Sequence, residues 1–187
     1  MTLYLFQINQ SCLLWRCQSY LRYHNIIVRR KIQAHESRGI LQFYGNVINS
    51  ELAGADMVEL DVRTTKDGQL VLMHNETVNE TTTGVGAVSF LTLEQIKSFD
   101  MVRYGKVYKD EQNNVAKVPT LLEALKATKD KIYVNLDLAG KNNVPAKVLE
   151  VIHEAGVEDQ VMLFASGDIA EYQKLNPLVP VLRIWRQ

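Results

Sequence analysis

Two acidic residues and a histidine that could carry catalytic chemistry stand close together in residues 54–86. Glu59 and Asp61 alternate with aliphatic residues. Because strand side chains alternate between faces with a period of two, both carboxylates are predicted on one face of a strand. Carboxylate oxygens are the ligands that Mg²⁺ and Ca²⁺ prefer, so this pair is a candidate metal site. The structural alternative is a solvated strand face.

A second apolar run follows a turn and ends at a histidine. Residues 65–68 read Thr-Lys-Asp-Gly, and Asp-Gly is a strong turn dipeptide. Residues 70–73 are apolar and predict a second strand that ends at His74. An imidazole takes up and returns protons near neutral pH, so His74 is a candidate general acid or base. Residues 81–86, which are threonine and glycine with one valine, predict a loop over the strand ends.

Two further candidates stand at the ends of other predicted strands. His35 follows the apolar stretch 26–34, which predicts the first core strand, and Asp137 stands near the end of the predicted strand 132–138. In a parallel sheet the carboxyl ends of the strands lie at one edge, so we expect His35 and His74 to face the same opening. A lone histidine at a strand end is more often structural than catalytic, so these residues need support from their neighbours.

The remaining sequence alternates between helix and strand patterns, which predicts a parallel sheet. Residues 92–95 and 120–123 match the capping box, in which a threonine and an acid or amide three residues later satisfy exposed main-chain donors. A helix is therefore predicted to begin at each. Residues 101–117 are polar and predict a long loop, and a helix over 145–155 is predicted to end at Gly156. Further helices are predicted at 47–53 and 169–175, and further strands at 161–165 and 179–185.

Composition favours a globular protein without a transmembrane helix. The 187 residues are 47% hydrophobic, and no run of about 18 apolar residues occurs. The formal net charge is zero, so no overall field attracts nucleic acid. Residues 1–29 are basic and aromatic, which predicts a poorly ordered or helical extension ahead of one domain at 30–187. No signal peptide is recognised, because the charges follow the apolar residues, and a cytoplasmic location is expected.

Three stretches together resemble the glycerophosphodiester phosphodiesterase family. They read GADMVELDV from Gly54, TKDGQLVLMHN from Thr65 and ETTTGVGAVSFLTLEQIK from Glu80. Their co-occurrence in this order and spacing is more specific than any one of them, and the resemblance extends from about residue 32 to the C-terminus. It implies an α/β fold of the (β/α)8 TIM-barrel type, with catalytic residues at the carboxyl ends of the strands.

About six barrel strands are predicted from the sequence, which makes the expected barrel incomplete. A full barrel takes roughly 200 to 250 residues or more, so its last two strands are expected to be absent. An open barrel leaves strand edges unpaired, which predicts self-association through those edges. The six predicted strands end near His35, Asp61, His74, Leu138, Ser166 and Trp185.

The resemblance also implies an activity and roles for individual residues. The implied reaction is hydrolysis of a small-molecule glycerophosphodiester to an alcohol and glycerol phosphate, with a divalent cation, Mg²⁺ or Ca²⁺, as cofactor. The implied roles are metal binding for Glu59, Asp61 and Asp137, acid and base catalysis for His35 and His74, and phosphate binding for Arg38.

Several positions depart from the family pattern. Where the family has His-Arg-Gly, two residues separate His35 from Arg38, and no Pro-Glu-Asn element follows. Asn75 stands where an aspartate usually follows the histidine. Glu80 replaces an arginine before the threonine pair, and Ala139 replaces a lysine after the third acid. We expect the displaced Arg38 and the negative Glu80 to weaken phosphate binding.

Three hypotheses from different classes stay open at this stage. The first is a metal-dependent phosphodiesterase, and the second is a truncated, catalytically impaired member of the same family. The third is a non-catalytic protein that binds phosphate groups or a lipid surface through its basic N-terminal residues.

Overall fold

The protein is built around one mainly parallel sheet with helices on its apolar face. The computed structural model describes residues 57–103, 105–109, 113–138 and 145–165, together with short strands at 21–23, 26–28, 31–33 and 181–183. The strands are β1 Leu21–Tyr23, β2 Ile26–Val28, β3 Lys31–Gln33, β4 Met57–Thr64, β5 Leu70–Leu72, β6 Val102–Arg103, β7 Lys106–Val107, β8 Tyr133–Asp137, β9 Val161–Ala165 and β10 Val181–Arg183. The helices are α1 Leu93–Ser98, α2 Leu121–Thr128 and α3 Pro145–Ala155, with a short 3-10 turn at Val88–Phe90.

Five strands of the main sheet pair in parallel, in the spatial order β10, β9, β8, β4, β3. Helix α3 connects β8 to β9, as expected for a parallel crossover, which cannot be made by a tight hairpin. The predicted α/β organisation is confirmed. The opening of the sheet, meaning the edge at the carboxyl ends of these five strands, is where the candidate residues of β4 and β8 lie.

The sixth strand of the sheet runs the other way, which corrects one prediction. Strand β5 pairs antiparallel with the far end of β4, with Val62 opposite Leu72 and Thr64 opposite Leu70. The predicted turn at 65–68 makes this a hairpin, so the strand before His74 is not one of the parallel barrel strands. The physical reason is length, because a two-residue to four-residue turn can only return the chain antiparallel to its neighbour.

The first predicted core strand is also divided. Residues 26–28 pair antiparallel with 21–23 in a separate two-stranded sheet, and only 31–33 pair with β4. The predicted single strand is therefore two strands, 26–28 and 31–33, and residues 21–23 are a strand rather than part of a helix. An apolar run does not indicate which other strand it will pair with, so the sequence could not show that this stretch contains two strands in different sheets.

The predicted loop at 101–117 contains a small hairpin. Strands β6 and β7 pair antiparallel, and a bridge joins Lys109 to Val115. Gly105 between the two strands adopts a φ of 71°, which a glycine accepts without steric cost. Strands of two residues have too little pattern to be recognised from sequence.

Both predicted capping boxes are present. The hydroxyl of Thr92 accepts a hydrogen bond from the Gln95 main chain, and the Gln95 side chain accepts from the Thr92 main chain. Thr120 and Glu123 make the same reciprocal pair at the start of α2. Helix α3 also ends where predicted, at Gly156 with a φ of 64°.

Aliphatic residues of β4 and β8 form the outer face of the sheet and pack against α2 and α3. Val62, Val134, Leu136 and Leu125 are fully buried in this cluster. Since side chains alternate along a strand, the residues between them must point to the opposite face of the sheet. That alternation sends the acidic residues away from the helices.

Helices α1 and α2 are linked by a half-exposed ion pair that makes stability depend on pH. The Lys97 Nζ lies 2.5 Å from Glu123 Oε2. Burial by itself raises the pKa of Glu123, but hydrogen bonds from Lys97 and the Thr120 main chain outweigh it and lower the pKa below its ordinary 4.5. A lowered folded-state pKa contributes stability above the unfolded pKa and loses it as the pH falls through the folded value.

We therefore expect Glu123→Gln to lower the free energy of unfolding near pH 7 by about 0.5–1 kcal/mol, a small value because the pair is partly solvated. Glutamine keeps the capping box, as Gln95 does, so the lost quantity is the charged interaction. The difference should shrink as the pH falls below 4.5 and through the lowered folded-state pKa of Glu123. Urea unfolding at several pH values measures it. Glu154→Gln, which removes a looser ion pair with Lys126 at 3.8 Å, is the control and should show a smaller difference.

Some predictions fall on other parts of the chain. The predicted helices at 47–53 and 169–175 lie outside the described residues, and so do His35, Arg38 and Ala139. No helix in the described ranges is long and apolar enough to cross a membrane. The domain boundary at 29/30 and self-association through strand edges stay predictions.

Candidate active site

Strand β4 places two acids on the inner face of the sheet, opposite the helices. Glu59 and Asp61 are 7% and 5% exposed, while their neighbours Val58 and Leu60 belong to the apolar cluster. The predicted separation of acidic and apolar faces is therefore present. Asp61 is the last residue of β4 that pairs with β8, and beyond it β4 pairs with β5. Asp61 thus lies at the opening of the parallel sheet.

Strand β8 brings a matching polar pair beside these acids. The register sets Glu59 beside Asn135 and Asp61 beside Asp137. Asn135 Nδ2 donates to Glu59 Oε2 at 3.4 Å, a long hydrogen bond between buried groups. Four side chains with oxygen atoms therefore form two neighbouring pairs on one face of β4 and β8. Neighbouring strands lie about 4.8 Å apart.

Asn135 was missed by the sequence reasoning. It is 2% exposed, and its Oδ1 has no hydrogen-bond partner among the described residues. The available signal was its position two residues before Asp137, which in a strand places both on the same face. A buried amide beside a carboxylate is costly unless it serves a bound group or holds its neighbour in place.

Arg63 links the acidic pair to the segment that carries His74. The guanidinium donates from Nε and Nη2 to the His74 carbonyl oxygen at 3.1 and 2.7 Å. The Met73 amide donates to the Asp61 carbonyl oxygen at 3.0 Å. The backbone of His74 is thereby held next to Asp61, although β5 runs antiparallel to β4.

The charge of Arg63 is balanced by its surroundings. Burial lowers the pKa of the guanidinium below its ordinary value, and three nearby carboxylates oppose that shift. They belong to Glu76, Asp61 and Asp137. The opening therefore carries both a cation and a group of anions, and the sequence reasoning did not single out Arg63. The sequence could have indicated Arg63, because it follows Asp61 by two residues and would lie on the same face of the strand.

The side chain of His74 is the first member of a short hydrogen-bonded chain. Its Nδ1 lies 2.8 Å from Asn75 Oδ1, and Asn75 Nδ2 donates to Glu80 Oε2 at 2.8 Å. Both Asn75 and Glu80 are positions at which the sequence departs from the family pattern. The Glu80 carboxylate is thus engaged with a neighbouring amide.

The predicted loop at 81–86 packs behind this chain. Thr82 Oγ1 donates to the Val78 carbonyl at 2.9 Å and accepts from the Gly84 amide at 3.0 Å. A Cβ at Gly84 would lie 2.1 Å from the ring of Phe99, so only glycine fits. Thr81 Oγ1 contacts Met73 Sδ at 3.3 Å. These contacts fix the position of the residue that precedes His74.

The structure brings together Asp61, Asp137 and His74 but does not form a closed metal cluster. Among the described side chains, no three histidine, cysteine or acidic groups converge closely enough to hold an ion as they stand. The proposed partner of His74 in acid and base catalysis, His35, and the proposed phosphate ligand, Arg38, lie outside the described residues. The assigned roles stay predictions.

The model of the glycerophosphoryl diester phosphodiesterase family matches residues 50–177. The chain belongs to this family. A glycerophosphodiester phosphodiesterase of Caldanaerobacter subterraneus is 35% identical over 132 residues, which are 66% of this chain and 52% of that protein. One of Bacillus altitudinis is 33% identical over 133 residues, 67% of this chain and 53% of that protein. The chain thus spans about half the length of these relatives.

Solved structures show the same fold. The glycerophosphodiester phosphodiesterase of Agrobacterium tumefaciens superposes with a TM-score of 0.63 at 25% identity, covering 81% of this chain and 65% of that one. An Oleispira antarctica phosphodiesterase, solved with the product sn-glycerol-3-phosphate, gives a TM-score of 0.66 at 20% identity and covers 83% and 65%. The predicted barrel fold, present in part, and the predicted family are confirmed.

Proposed function

We propose that this family member hydrolyses glycerophosphodiesters to an alcohol and glycerol phosphate, with a divalent cation and histidine acid and base catalysis. The observation that carries the proposal is the register pair of Asp61 and Asp137 at the opening of the sheet, with His74 held at the same level. The family and the names of its relatives supply the substrate class.

The donor set suits a hard divalent cation. Glu59, Asp61 and Asn135 are buried, they offer oxygen atoms, and with Asp137 they lie at neighbouring positions of one sheet face. Packing several carboxylates together is costly without a cation, because like charges repel. Among the described residues these side chains do not converge on one ion as they stand, so binding would require them to move closer together. A bound cation would neutralise charge on the phosphoryl oxygens.

The roles of the protein groups follow from the reaction. A base removes the proton from the attacking hydroxyl or water as the new P–O bond forms. An acid supplies a proton to the leaving alkoxide as the old P–O bond breaks. We assign these two roles to His35 and His74. We assign phosphate binding to Arg38, on the strength of the family resemblance.

Turnover by the 187-residue protein is the test. The protein is incubated with glycerophosphodiesters bearing choline or ethanolamine, and released glycerol phosphate is measured. We expect turnover that falls at least about a hundredfold on chelation and returns with Mg²⁺ or Ca²⁺, since a cation stabilises the transition state by several kcal/mol. A phosphate monoester serves as the control substrate and should not be hydrolysed.

Two results would contradict the proposal. Activity that persists in chelator would remove the metal requirement. Metal binding without any turnover would favour a non-catalytic or catalytically impaired protein over the phosphodiesterase.

A further inference from the structure

The Asn75 amide lies between two groups of different hydrogen-bonding ability. Its Nδ2 donates to Glu80 Oε2 at 2.8 Å, and its Oδ1 faces His74 Nδ1 at the same distance. An ionised carboxylate can only accept hydrogen bonds, whereas an amide has one end that donates and one that accepts. Glu80 therefore dictates which way the Asn75 amide is turned.

The direction of the amide then decides where His74 carries its proton. Since Asn75 Oδ1 can only accept, His74 Nδ1 must donate, and the neutral imidazole has its proton on Nδ1. The other nitrogen, Nε2, then carries no proton. A neutral imidazole in water prefers the opposite arrangement, with the proton on Nε2, so this tautomer has to be imposed by neighbours.

The main chain of the same histidine is held independently. Arg63 donates two hydrogen bonds to the His74 carbonyl, and the Met73 amide donates to the Asp61 carbonyl. The backbone is thus fixed relative to the acidic pair, while Asn75 fixes the ring. Both contacts are needed for a defined nitrogen to face a defined point in the opening.

We propose that Asn75 and Glu80 are positioning residues that hold His74 in the Nδ1–H tautomer and so make Nε2 the nitrogen that exchanges protons with the substrate. The proposal rests on the proposed function for the role of Nε2, but the tautomer itself can be observed without turnover. It also assigns a use to two positions that depart from the family pattern. On charge alone, Glu80 was expected only to weaken phosphate binding.

The test is ¹⁵N NMR of the histidine imidazoles in the 187-residue protein, at a pH where His74 is neutral. The protonated and unprotonated nitrogens of a neutral imidazole have well-separated ¹⁵N shifts, so the tautomer is read directly, and His74→Gln assigns the signal. We expect His74 to carry its proton on Nδ1. A wild-type protein with the proton on Nε2 overturns the proposal without any variant.

Glu80→Arg is the informative substitution. An arginine can only donate, so the Asn75 amide should turn, present Nδ2 to His74 and move the imidazole proton to Nε2. We expect kcat to fall about tenfold or more with a smaller change in KM, as part of the contribution of acid and base catalysis. The charge argument alone predicts the opposite, a gain in activity from tighter phosphate binding.

A second substitution should restore the tautomer. In Asn75→Asp combined with Glu80→Arg, the carboxylate accepts from both His74 Nδ1 and the guanidinium, so the proton returns to Nδ1 and most of the lost kcat returns. Glu154→Arg, an exposed charge reversal on α3, is the control and should change neither the tautomer nor kcat.

The outcomes separate the two proposals. Retention of the Nδ1–H tautomer in Glu80→Arg overturns the positioning role. Absence of turnover in the wild type, with the tautomer and its switch as expected, contradicts the proposed function and leaves the positioning of His74 intact.

Discussion

Asp61→Asn is expected to eliminate metal-dependent turnover while leaving the protein folded. Asp61 is 5% exposed, lies beside Asp137 and ends the parallel part of β4. Asparagine has nearly the same shape and keeps one oxygen, but it lacks the negative charge that makes a carboxylate the stronger ligand for a divalent cation. Because such a cation contributes several kcal/mol to the transition state, we expect a loss of at least about a hundredfold.

Stability and metal binding distinguish this effect from misfolding. Without metal, the substitution removes the repulsion from Asp137 and also the attraction of Arg63, so the Tm of the variant should stay close to that of the wild type. Saturating Ca²⁺ or Mg²⁺ should raise the Tm of the wild type but not of the variant, because only a ligand that binds the folded state stabilises it. Calorimetric titration should show one site in the wild type only.

Asp130→Asn is the matched control. Asp130 precedes β8, at the end of that strand opposite Asp137, and it is exposed. Its φ of 60° is one that asparagine also adopts readily. Equal metal binding in the wild type and Asp61→Asn would show that the metal site is elsewhere.

His74→Ala is expected to reduce turnover by at least about a hundredfold, the usual contribution of a general acid or base. The side chain is exposed, so its removal should change the free energy of unfolding by no more than about 0.5 kcal/mol. The carbonyl that Arg63 binds belongs to the main chain and remains in the variant. Added imidazole should restore part of the activity, since it can enter the vacated space and exchange protons.

His153→Ala provides the comparison. His153 lies at the end of α3, is 84% exposed in its side chain and pairs with Glu158 at 2.7 Å, at the end of the sheet away from the opening. Its removal should leave kcat and KM unchanged. If the turnover of His74→Ala stays within twofold of the wild type, His74 is not one of the two acid and base residues.

The sequence by itself determined the parts of the protein whose pattern is local. The period of two in β4 separated Glu59 and Asp61 from the apolar face, since strand geometry leaves no other arrangement. Thr92 and Thr120 marked two helix starts because a capping box satisfies donors within four consecutive residues. The co-occurring motifs between 54 and 97 identified the family.

Only the tertiary structure decided the pairings between distant segments. It separated 26–28 from the main sheet and set Asn135 beside Glu59. It also joined Arg63 to the His74 carbonyl and Asn75 to Glu80. Strand register depends on which residues of two strands lie opposite each other, and the direction of a side-chain amide depends on whether its neighbour donates or accepts. No pattern along the chain states that, because the partners meet only when the sheet has formed.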